Sequence, residues 1–483
     1  MNRVLSLTLT DSSGLGILQR YRTVTMLVLV AAIPLGAQTM RPATGQPDSS
    51  QNLQQRVTQL EAEVSELKIL VKQLALNVQP AATTLIAPTG ADPQRSILTA
   101  DDRKTLDFMR GTTLNLALDT YYAYNFNHPV GRVNLLRAYD PLSNEFSLSQ
   151  ASIIFDHPPD LAAGRRWGGR MDLQFGQATD TSQGNPLNEP RPDIYRNIFQ
   201  VYGTYVVPLL GRGLNVDFGK WGSSLGVEGN YNKDQMNYSR ALWFDFLPFY
   251  HMGLRASLPL TGNFAINYWV VNGTNQVEAT DGFKDELFGF TAKPWKTISW
   301  TMNYYLGQEH PDRAPATDCW PIPVQPGLCF AAIRPAPDGR THIFDSYATW
   351  QVTPKLTLQG EGDYLIQRLW QNQALGESSA PAHVDGGAAY IQYQLTPKFA
   401  FATRAEYMSD RGGLFSGITQ ALKENTVTFD YKMADGMLMR YEWRRDLSNR
   451  PSFLTDEQGI FSKEQTTATV GLLWWWGRKE GAW

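Results

Sequence analysis

The chain has 483 residues, a net charge of −3, 18% charged residues and 12% aromatic residues. A charge this close to zero gives no basis for binding nucleic acid, and the charged fraction lies below the roughly 25% of ordinary soluble proteins. No stretch reaches the roughly 18–20 apolar residues of a membrane-spanning helix, which argues against a helical membrane protein.

The first segment has the features of an export signal. The apolar run 26–35 is preceded by two arginines and followed by Gly36-Ala37. A basic start, a short apolar core and small residues at the exit are typical of a secretory signal peptide. The sequence therefore predicts a signal peptide over residues 1–37 and a polar spacer over residues 38–50.

Residues 51–79 carry an unbroken heptad pattern, with Val at each a position and Leu at each d position. The residues of this pattern are Leu53, Val57, Leu60, Val64, Leu67, Val71, Leu74 and Val78. The pattern predicts a short coiled-coil helix and therefore self-association of the chain. A β-branched residue at a with Leu at d favours a dimer.

A linker and a short helix are expected over residues 80–111, and a series of short strands follows over residues 112–483. In each strand, apolar or aromatic side chains alternate with polar ones, which is the period of a β-strand. The repetition predicts an all-β transmembrane barrel of about 16 antiparallel strands, apolar outside and polar inside. The predicted strands are residues 112–125, 146–156, 167–177, 195–207, 213–220, 249–258, 263–272, 285–293, 296–307, 341–352, 355–366, 384–394, 398–408, 424–432, 437–445 and 465–476.

Charge indicates which face of each strand points inward. Arg440, Glu442 and Arg444 share one face of a predicted strand whose other face is largely aromatic. Arg or Lys facing lipid at the middle of the bilayer costs about 2–4 kcal/mol, so the charged faces are predicted to line a lumen. The predicted pore-lining residues are Asp119, Arg170, Asp172, Asp217, Arg255, Glu361, Asp363, Arg404, Glu406, Asp430, Lys432, Arg440, Glu442 and Arg444. Their mixed sign predicts a weakly selective, water-filled pore, with a slight preference for cations as a further hypothesis.

The connectors between the predicted strands alternate between short turns and long loops. In outer-membrane barrels the periplasmic turns are short and the external loops are long. The loop over residues 221–248 is one of the two longest, and its glycines and polar residues make it a candidate to fold into the bore and narrow it. The candidate constriction residues are Glu228, Lys233, Asp234, Arg240 and Asp245.

The remaining motifs indicate no catalytic chemistry. Cys319 and Cys329 are predicted to form a disulfide after export. The six histidines are scattered without the spacing of metal ligands, so no metal site and no cofactor are predicted. Residues 222–226 match G-x-S-x-G, but the parallel-sheet context of a nucleophile elbow is not predicted there, so enzyme activity is not expected.

Several segments together resemble a known family. The run Phe218–Trp221 leads through Gly226–Gly229 and Asn237–Arg240 to Pro248–Arg255, and the earlier segments Leu118–Asn127 and Phe146–Ala151 agree with it. From about residue 112 to the C-terminus, the sequence resembles the OmpL-like family of outer-membrane β-barrel porins. The resemblance implies a passive pore for small solutes in which the long loop is the constriction, and it supplies no substrate-binding residues.

The sequence therefore predicts an outer-membrane porin, a water-filled channel for passive diffusion of small hydrophilic solutes and ions, with its coiled coil in the periplasm. Two alternatives stay open: a channel selective for sugars or anions, and a structural outer-membrane tether that acts through the coiled coil. The expected partners are outer-membrane lipid, small hydrophilic solutes and further copies of the chain, without nucleic acid. Analogy with porins favours a trimer, and the coiled-coil residues leave a dimer open.

Overall fold

A computed structural model describes residues 109–183, 191–309, 339–372 and 377–477, together with residues 102 and 106 and four short strands between residues 313 and 335. The predicted signal peptide, spacer and coiled coil lie outside the described residues, as does most of the predicted linker and short helix. The side chains of Cys319 and Cys329 also lie outside them, so their predicted disulfide stays a prediction.

Within the described residues, sixteen strands form one closed antiparallel barrel, in which β16 pairs back to β1. The strands are β1 Thr113–Asn125, β2 Glu145–His157, β3 Trp167–Phe175, β4 Ile198–Val207, β5 Leu214–Gly222, β6 Tyr250–Pro259, β7 Phe264–Val271, β8 Asp285–Trp295, β9 Ile298–Gly307, β10 Thr341–Gln351, β11 Leu356–Asn372, β12 Glu377–Thr396, β13 Phe399–Arg411, β14 Gln420–Ala434, β15 Met437–Ser448 and β16 Glu464–Gly477. The predicted class, an antiparallel barrel of about 16 strands, is confirmed.

Smaller elements decorate the connectors. The helices are α1 Gln177–Gln183, α2 Pro192–Tyr195 and α3 Leu242–Phe246, with single 3₁₀ turns at Val130–Arg132 and Asn232–Asp234. Three two-stranded ribbons pair Arg313–Ala314 with Arg334–Pro335, Cys319–Pro321 with Cys329–Ala331, and Phe453–Leu454 with Phe461–Ser462. None of the helices in the described part of the chain has the length and apolar composition that a membrane-spanning helix needs.

The connectors at one end of the barrel, which we call the turn end, are short because their residues favour tight turns. The turns after β10 and β12 both begin with Thr-Pro-Lys. In each, the threonine Oγ1 accepts a hydrogen bond from the backbone N–H three residues later, Thr353 from Leu356 (3.0 Å) and Thr396 from Phe399 (3.2 Å). Such side-chain hydrogen bonds hold a turn without help from the rest of the protein.

The opposite end, which we call the loop end, departs furthest from the predicted strand boundaries. The predicted strands 355–366 and 384–394 leave a long connector over residues 367–383. This prediction is wrong, because β11 continues to Asn372 and β12 begins at Glu377. The apolar and polar alternation that marks a strand in lipid is not required where a hairpin extends beyond the bilayer. The sequence pattern therefore ends before the strands do.

Candidate pore

The inward faces of the last strands carry fully buried charges. Arg404 on β13 and Arg440 and Arg444 on β15 are at most 1% exposed, whereas Tyr441 and Trp443 on the other face of β15 are 44% and 42% exposed. Side chains at alternate positions of a strand point to opposite faces of the sheet. The charges therefore point into the barrel and the aromatic rings point away from it.

Residues 223–249 connect β5 to β6 and run across the inside of the barrel; we call them the lumenal loop. Its residue Asn232 donates a hydrogen bond to Asp119 on β1 (3.0 Å), and Asn237 donates one to Thr428 on β14 (2.7 Å). In the closed ring, β14 lies about half the circumference away from β5 and β6. A loop can reach that wall only through the interior, so the lumenal loop occupies part of the bore.

Three arginines of the wall hold the main chain of this loop. Together with Glu406 and Glu442 of the same wall, we call them the clamp. The Arg404 guanidinium donates to the carbonyl of Ser239 (2.8 Å), and the Arg444 guanidinium donates to the carbonyl of Arg240 (2.5 Å). Arg440 donates to the carbonyls of Asn232 (2.7 Å) and Asn237 (3.1 Å). Hydrogen bonds from a charged donor are stronger than neutral ones, and a loop carbonyl buried in the bore needs such a partner.

Carboxylates of the wall bind the N–H groups of the same loop. Glu442 accepts hydrogen bonds from the backbone of Tyr238 (2.5 Å) and Ser239 (3.0 Å). Glu406 accepts one from the backbone of Leu242 (3.0 Å), at the first residue of the short helix α3. The two signs of charge on the wall thus match the two kinds of main-chain group, acceptors and donors.

Apolar packing completes the attachment of the loop. Leu242, Trp243 and Leu247 are at most 2% exposed and belong to one core cluster inside the barrel. That cluster also contains Ile343 from β10 and Val384 from β12. Burying such side chains contributes about 1.5–3 kcal/mol each, so this part of the interior is a packed core that excludes water.

Among the cavities formed by the described residues, three lie inside the barrel. The turn-end cavity has a volume of about 570 Å³ and is lined mainly by β3 to β9. The middle cavity has about 250 Å³ and lies against the lumenal loop, and the loop-end cavity has about 560 Å³. Arg170 lines both the turn-end and the middle cavity, while Pro248 and Phe249 line both the middle and the loop-end cavity. The middle cavity therefore adjoins the turn-end cavity on one side and the loop-end cavity on the other.

Two arginines, each paired with an aspartate, line the turn-end cavity. Arg170 donates to Asp172 (2.8 Å), and Arg255 donates to Asp217 (2.6 Å). The Arg255 guanidinium also lies over the ring of Trp221, 5.1 Å from its centre. Unlike Arg404, Arg440 and Arg444, the Arg255 side chain keeps 25% of its surface exposed, so its charge is accessible from the cavity.

The other residues predicted to line the pore lie in different surroundings. Asp119 accepts a hydrogen bond from the Tyr238 hydroxyl (2.8 Å), and Asp430 pairs with Arg440 (2.8 Å), so both are covered by the lumenal loop or its clamp. Lys432 lies at the turn end, where it pairs with Asp435 of the turn (2.6 Å). Glu361 and Asp363 lie on the inward face of β11 and are 9% and 5% exposed.

The predicted constriction residues all belong to the lumenal loop but do different things. Glu228 pairs with Arg404 (2.7 Å), and the Arg240 guanidinium lies 5.2 Å from the ring centre of Tyr139. Lys233 pairs with its neighbour Asp234 (2.7 Å), which lines the middle cavity. Of the five predicted residues, Glu228 thus contacts the clamp, and the pair of Lys233 and Asp234 lies at the edge of the middle cavity.

Burial shifts the pKa values of several ionisable groups of the lumenal loop, among them Asp245 and Lys233. Burial raises the pKa of Asp245 to about 7, against the opposing effect of Arg444 and Arg137. Burial lowers the pKa of Lys233, although its ion pair with Asp234 acts in the opposite direction. Loss of solvation disfavours the charged form of any group, which explains both directions.

Sequence reasoning missed three carboxylates of the wall. Glu424 lies 3.1 Å from Arg404, Asp446 lies 2.8 Å from Arg444, and Asp345 accepts a hydrogen bond from the lumenal loop. Each lies at an alternate position of its strand, on the same inward face as predicted pore-lining residues. The alternation along each strand could therefore have identified them. Two of them lie at or beyond the predicted strand ends, where the alternation was not followed.

Comparisons with known proteins agree with this architecture. Residues 111–474 match the family model described as "Putative beta-barrel porin-2, OmpL-like". No curated protein sequence matches the chain.

Solved structures of similar shape are outer-membrane proteins. In-vitro folded OmpT of Vibrio cholerae, in a trimer form, has 10% identity and a TM-score of 0.45, covering 76% of this chain and 99% of that chain. The outer membrane channel DcaP of Acinetobacter baumannii has 8% identity and a TM-score of 0.47, covering 76% and 97%. The anion-selective porin from Comamonas acidovorans has 8% identity and a TM-score of 0.46, covering 76% and 99%.

Proposed function

Because the chain belongs to the OmpL-like β-barrel porin family, we propose that it forms a water-filled outer-membrane channel through which small hydrophilic solutes and ions diffuse passively. Porins are channels and not enzymes, and this applies to the chain as a member of the family. The passive mechanism and the class of solute are the proposal.

The observation that carries the proposal is the position of the lumenal loop. Its clamp fastens the loop to the wall formed by β13 to β15, and the three cavities lie beside it. A solute would enter the loop-end cavity, pass Phe249 into the middle cavity, and pass Arg170 into the turn-end cavity. The middle cavity, at about 250 Å³, is the smallest of the three, and we propose that the passages at Phe249 and Arg170 on either side of it limit the size of the solute.

Weak selectivity is proposed from the charges beside this path. The pairs Arg170–Asp172 and Asp217–Arg255 each combine one positive and one negative group. A pore selects strongly for one sign when it is lined by a ring of like charges, which these pairs are not. The fully buried arginines of the clamp are bonded to the loop, so we propose that they contribute little to selectivity.

Planar-bilayer recording of the purified full chain tests the proposal. We expect discrete channels with linear current–voltage relations, and a reversal potential near zero or slightly cation-selective under a KCl gradient. The absence of channels from correctly folded protein would overturn the porin function. A clear anion selectivity would instead overturn only the proposed selectivity.

We also propose that the chain is a homo-oligomer assembled with help from the coiled coil predicted over residues 51–79. Its Val and Leu pattern supports association. The test is to delete residues 51–79 and compare the oligomer mass in detergent and the conductance with those of the full chain. Loss of the oligomer with channels retained would assign the coil to assembly, whereas an unchanged oligomer would contradict this role.

A further inference from the structure

We infer that Asp345, Glu361 and Asp363 form a binding site for a divalent cation of the calcium type, at the point where the lumenal loop meets β10 and β11. The ligand oxygens of the three side chains all lie within 4.8 Å of one another. Asp345 and Asp363 are directly opposite each other in the register of β10 and β11, and Glu361 is two residues from Asp363 on the same face. The strands therefore fix the three carboxylates together.

Hydrogen bonds from the lumenal loop and from Asn303 hold two of the three acids in place. Asp345 accepts hydrogen bonds from the Gly226 backbone (3.0 Å) and from the Asn303 amide (2.7 Å). Glu361 accepts one from the Val227 backbone (3.3 Å). These donors keep both side chains beside the third acid, Asp363.

Asp363 is the unsatisfied member of the group. It is only 5% exposed, and within the described part of the chain neither of its carboxylate oxygens accepts a hydrogen bond from an N–H or O–H donor group; its polar neighbours are the carboxyl groups of Asp345 and Glu361. Buried polar groups almost always have a partner, and like charges directly opposite each other in a sheet are destabilising. A bound cation would give Asp363 a partner and would offset the repulsion between the opposed carboxylates of Asp345 and Asp363.

Oxygen ligands at this spacing suit calcium. Calcium binds six to eight oxygens at about 2.3–2.6 Å, so two ligands of one ion can lie up to about 5 Å apart. A cluster made only of carboxylates, without His or Cys, does not favour zinc or copper. Water molecules would complete the coordination, as they do in many calcium sites.

The cluster lies next to residues that line the proposed pathway. Asn303, Ser224 and Tyr347 line the turn-end cavity, and Asn303 is also bonded to Asp345. The cluster thus lies directly behind the cavity wall. A bound cation would neutralise this acidic wall and would fasten the start of the lumenal loop, whose N–H groups at Gly226 and Val227 already bind two of the ligands.

Calcium titration of the full chain tests the site. The protein is purified in detergent, stripped with EDTA, and titrated with CaCl₂ by isothermal calorimetry at neutral pH. We expect one saturable site per barrel, with affinity lowered at least about tenfold in Asp363→Asn, since calcium affinity depends on the number of charged ligands. Addition of calcium to the wild type should also slow amide exchange at residues 224–228.

Asp217→Asn is the matched control. It removes one inward carboxylate by the same change, but that carboxylate is already paired with Arg255 at 2.6 Å, so calcium affinity should stay unchanged. Far-UV circular dichroism and heat-dependent migration verify folding of each variant. Should Asp363→Asn fail to fold, Asp345→Asn and the calcium-dependent exchange of the wild type carry the test.

The proposal is overturned if the folded wild type shows no saturable calcium binding, or if Asp217→Asn weakens binding as much as Asp363→Asn does. Equal affinity for Mg²⁺ would overturn the calcium assignment. Because these measurements do not use conductance, channels without calcium binding would reject this site alone, and calcium binding without channels would reject only the porin function.

Discussion

Two walls of the same barrel carry the same kinds of charge and use them differently. On β13 to β15, arginines and carboxylates are buried and bind the main chain of the lumenal loop. On β3 to β6, Arg170 and Arg255, each paired with an aspartate, line a cavity. We call these the clamped wall and the open wall. The comparison shows that an inward charge lines a pore only where no loop covers it.

The largest expected effect comes from breaking the clamped wall at Arg404. Arg404→Ala leaves Glu228, Glu406 and Glu424 without their common partner. Removing one partner from a buried ion pair costs about 3–5 kcal/mol, so we expect the lumenal loop to detach. Single-channel conductance should increase, and trypsin should cleave at Arg240, which is 1% exposed in the docked loop.

The control for this variant is Arg411→Ala on the same strand. Arg411 is exposed, and its ion pair with Asp385 is long at 3.4 Å. Exposed pairs contribute little to stability, so both conductance and trypsin resistance should stay at the wild-type level. Equal behaviour of the two variants would contradict the clamp.

A smaller effect is expected where the loop first meets its wall. Gly226 has a φ of 85°, and a Cβ there would lie 2.9 Å from the Glu361 carboxylate. A left-handed conformation of a residue other than glycine costs about 1–3 kcal/mol, so Gly226→Ala should accelerate amide exchange at residues 224–228. Gly229→Ala is the control, since its Cβ would meet its nearest atom at 3.4 Å, and it should leave the exchange unchanged.

The clamped wall should also respond to pH through Asp245. Its pKa is about 7 in the docked loop and 3.8 in an exposed one. Because the folded pKa is raised, the docked loop is favoured below pH 3.8 and loses stability as the pH rises towards 7. Amide exchange of α3, compared at constant intrinsic rate, should show this loss between about pH 4 and 7. Asp245→Asn should abolish the dependence; if the dependence persists in that variant, another group is responsible.

Substitutions on the open wall should change the structure least, since the lumenal loop stays docked, and should change the ion selectivity most clearly. Arg255→Ala removes a partly exposed positive charge and leaves Asp217 facing the turn-end cavity. The reversal potential under a KCl gradient should shift towards cation selectivity, while the trypsin resistance of the loop is retained. Lys432→Ala, which removes a positive charge at the exposed turn end, should shift it less. A detached loop in Arg255→Ala would remove the distinction between the walls.

Much of the barrel could be predicted because lipid imposes a strict rule on its strands. Placing Arg440 and Arg444 on the lipid side would be costly, so the alternation around them fixes the inward face of β15. The turns at Thr353 and Thr396 were also predictable, since Pro follows each threonine. The ends of β11 and β12 at the loop end could not be predicted, because lipid does not impose the alternation on residues outside the bilayer.

The docking of the lumenal loop could be anticipated only in part. Its length, its glycines and the family resemblance made it a candidate to enter the bore. The contacts that hold it could not be predicted, because Arg404, Arg440 and Arg444 bind backbone carbonyls, which every residue possesses. Nothing in the side chains of Ser239 or Arg240 indicates that their carbonyls are acceptors for the opposite wall.

A loop held by its main chain has a particular freedom to evolve. A substitution at Arg240 keeps the carbonyl that Arg444 binds, provided that the backbone path is retained. Side chains that border the middle cavity, such as Asn230 and Asp234, can therefore change while the loop keeps its place. Related channels could diverge in the solutes they admit through a few such exchanges, with the barrel and its anchoring arginines inherited unaltered.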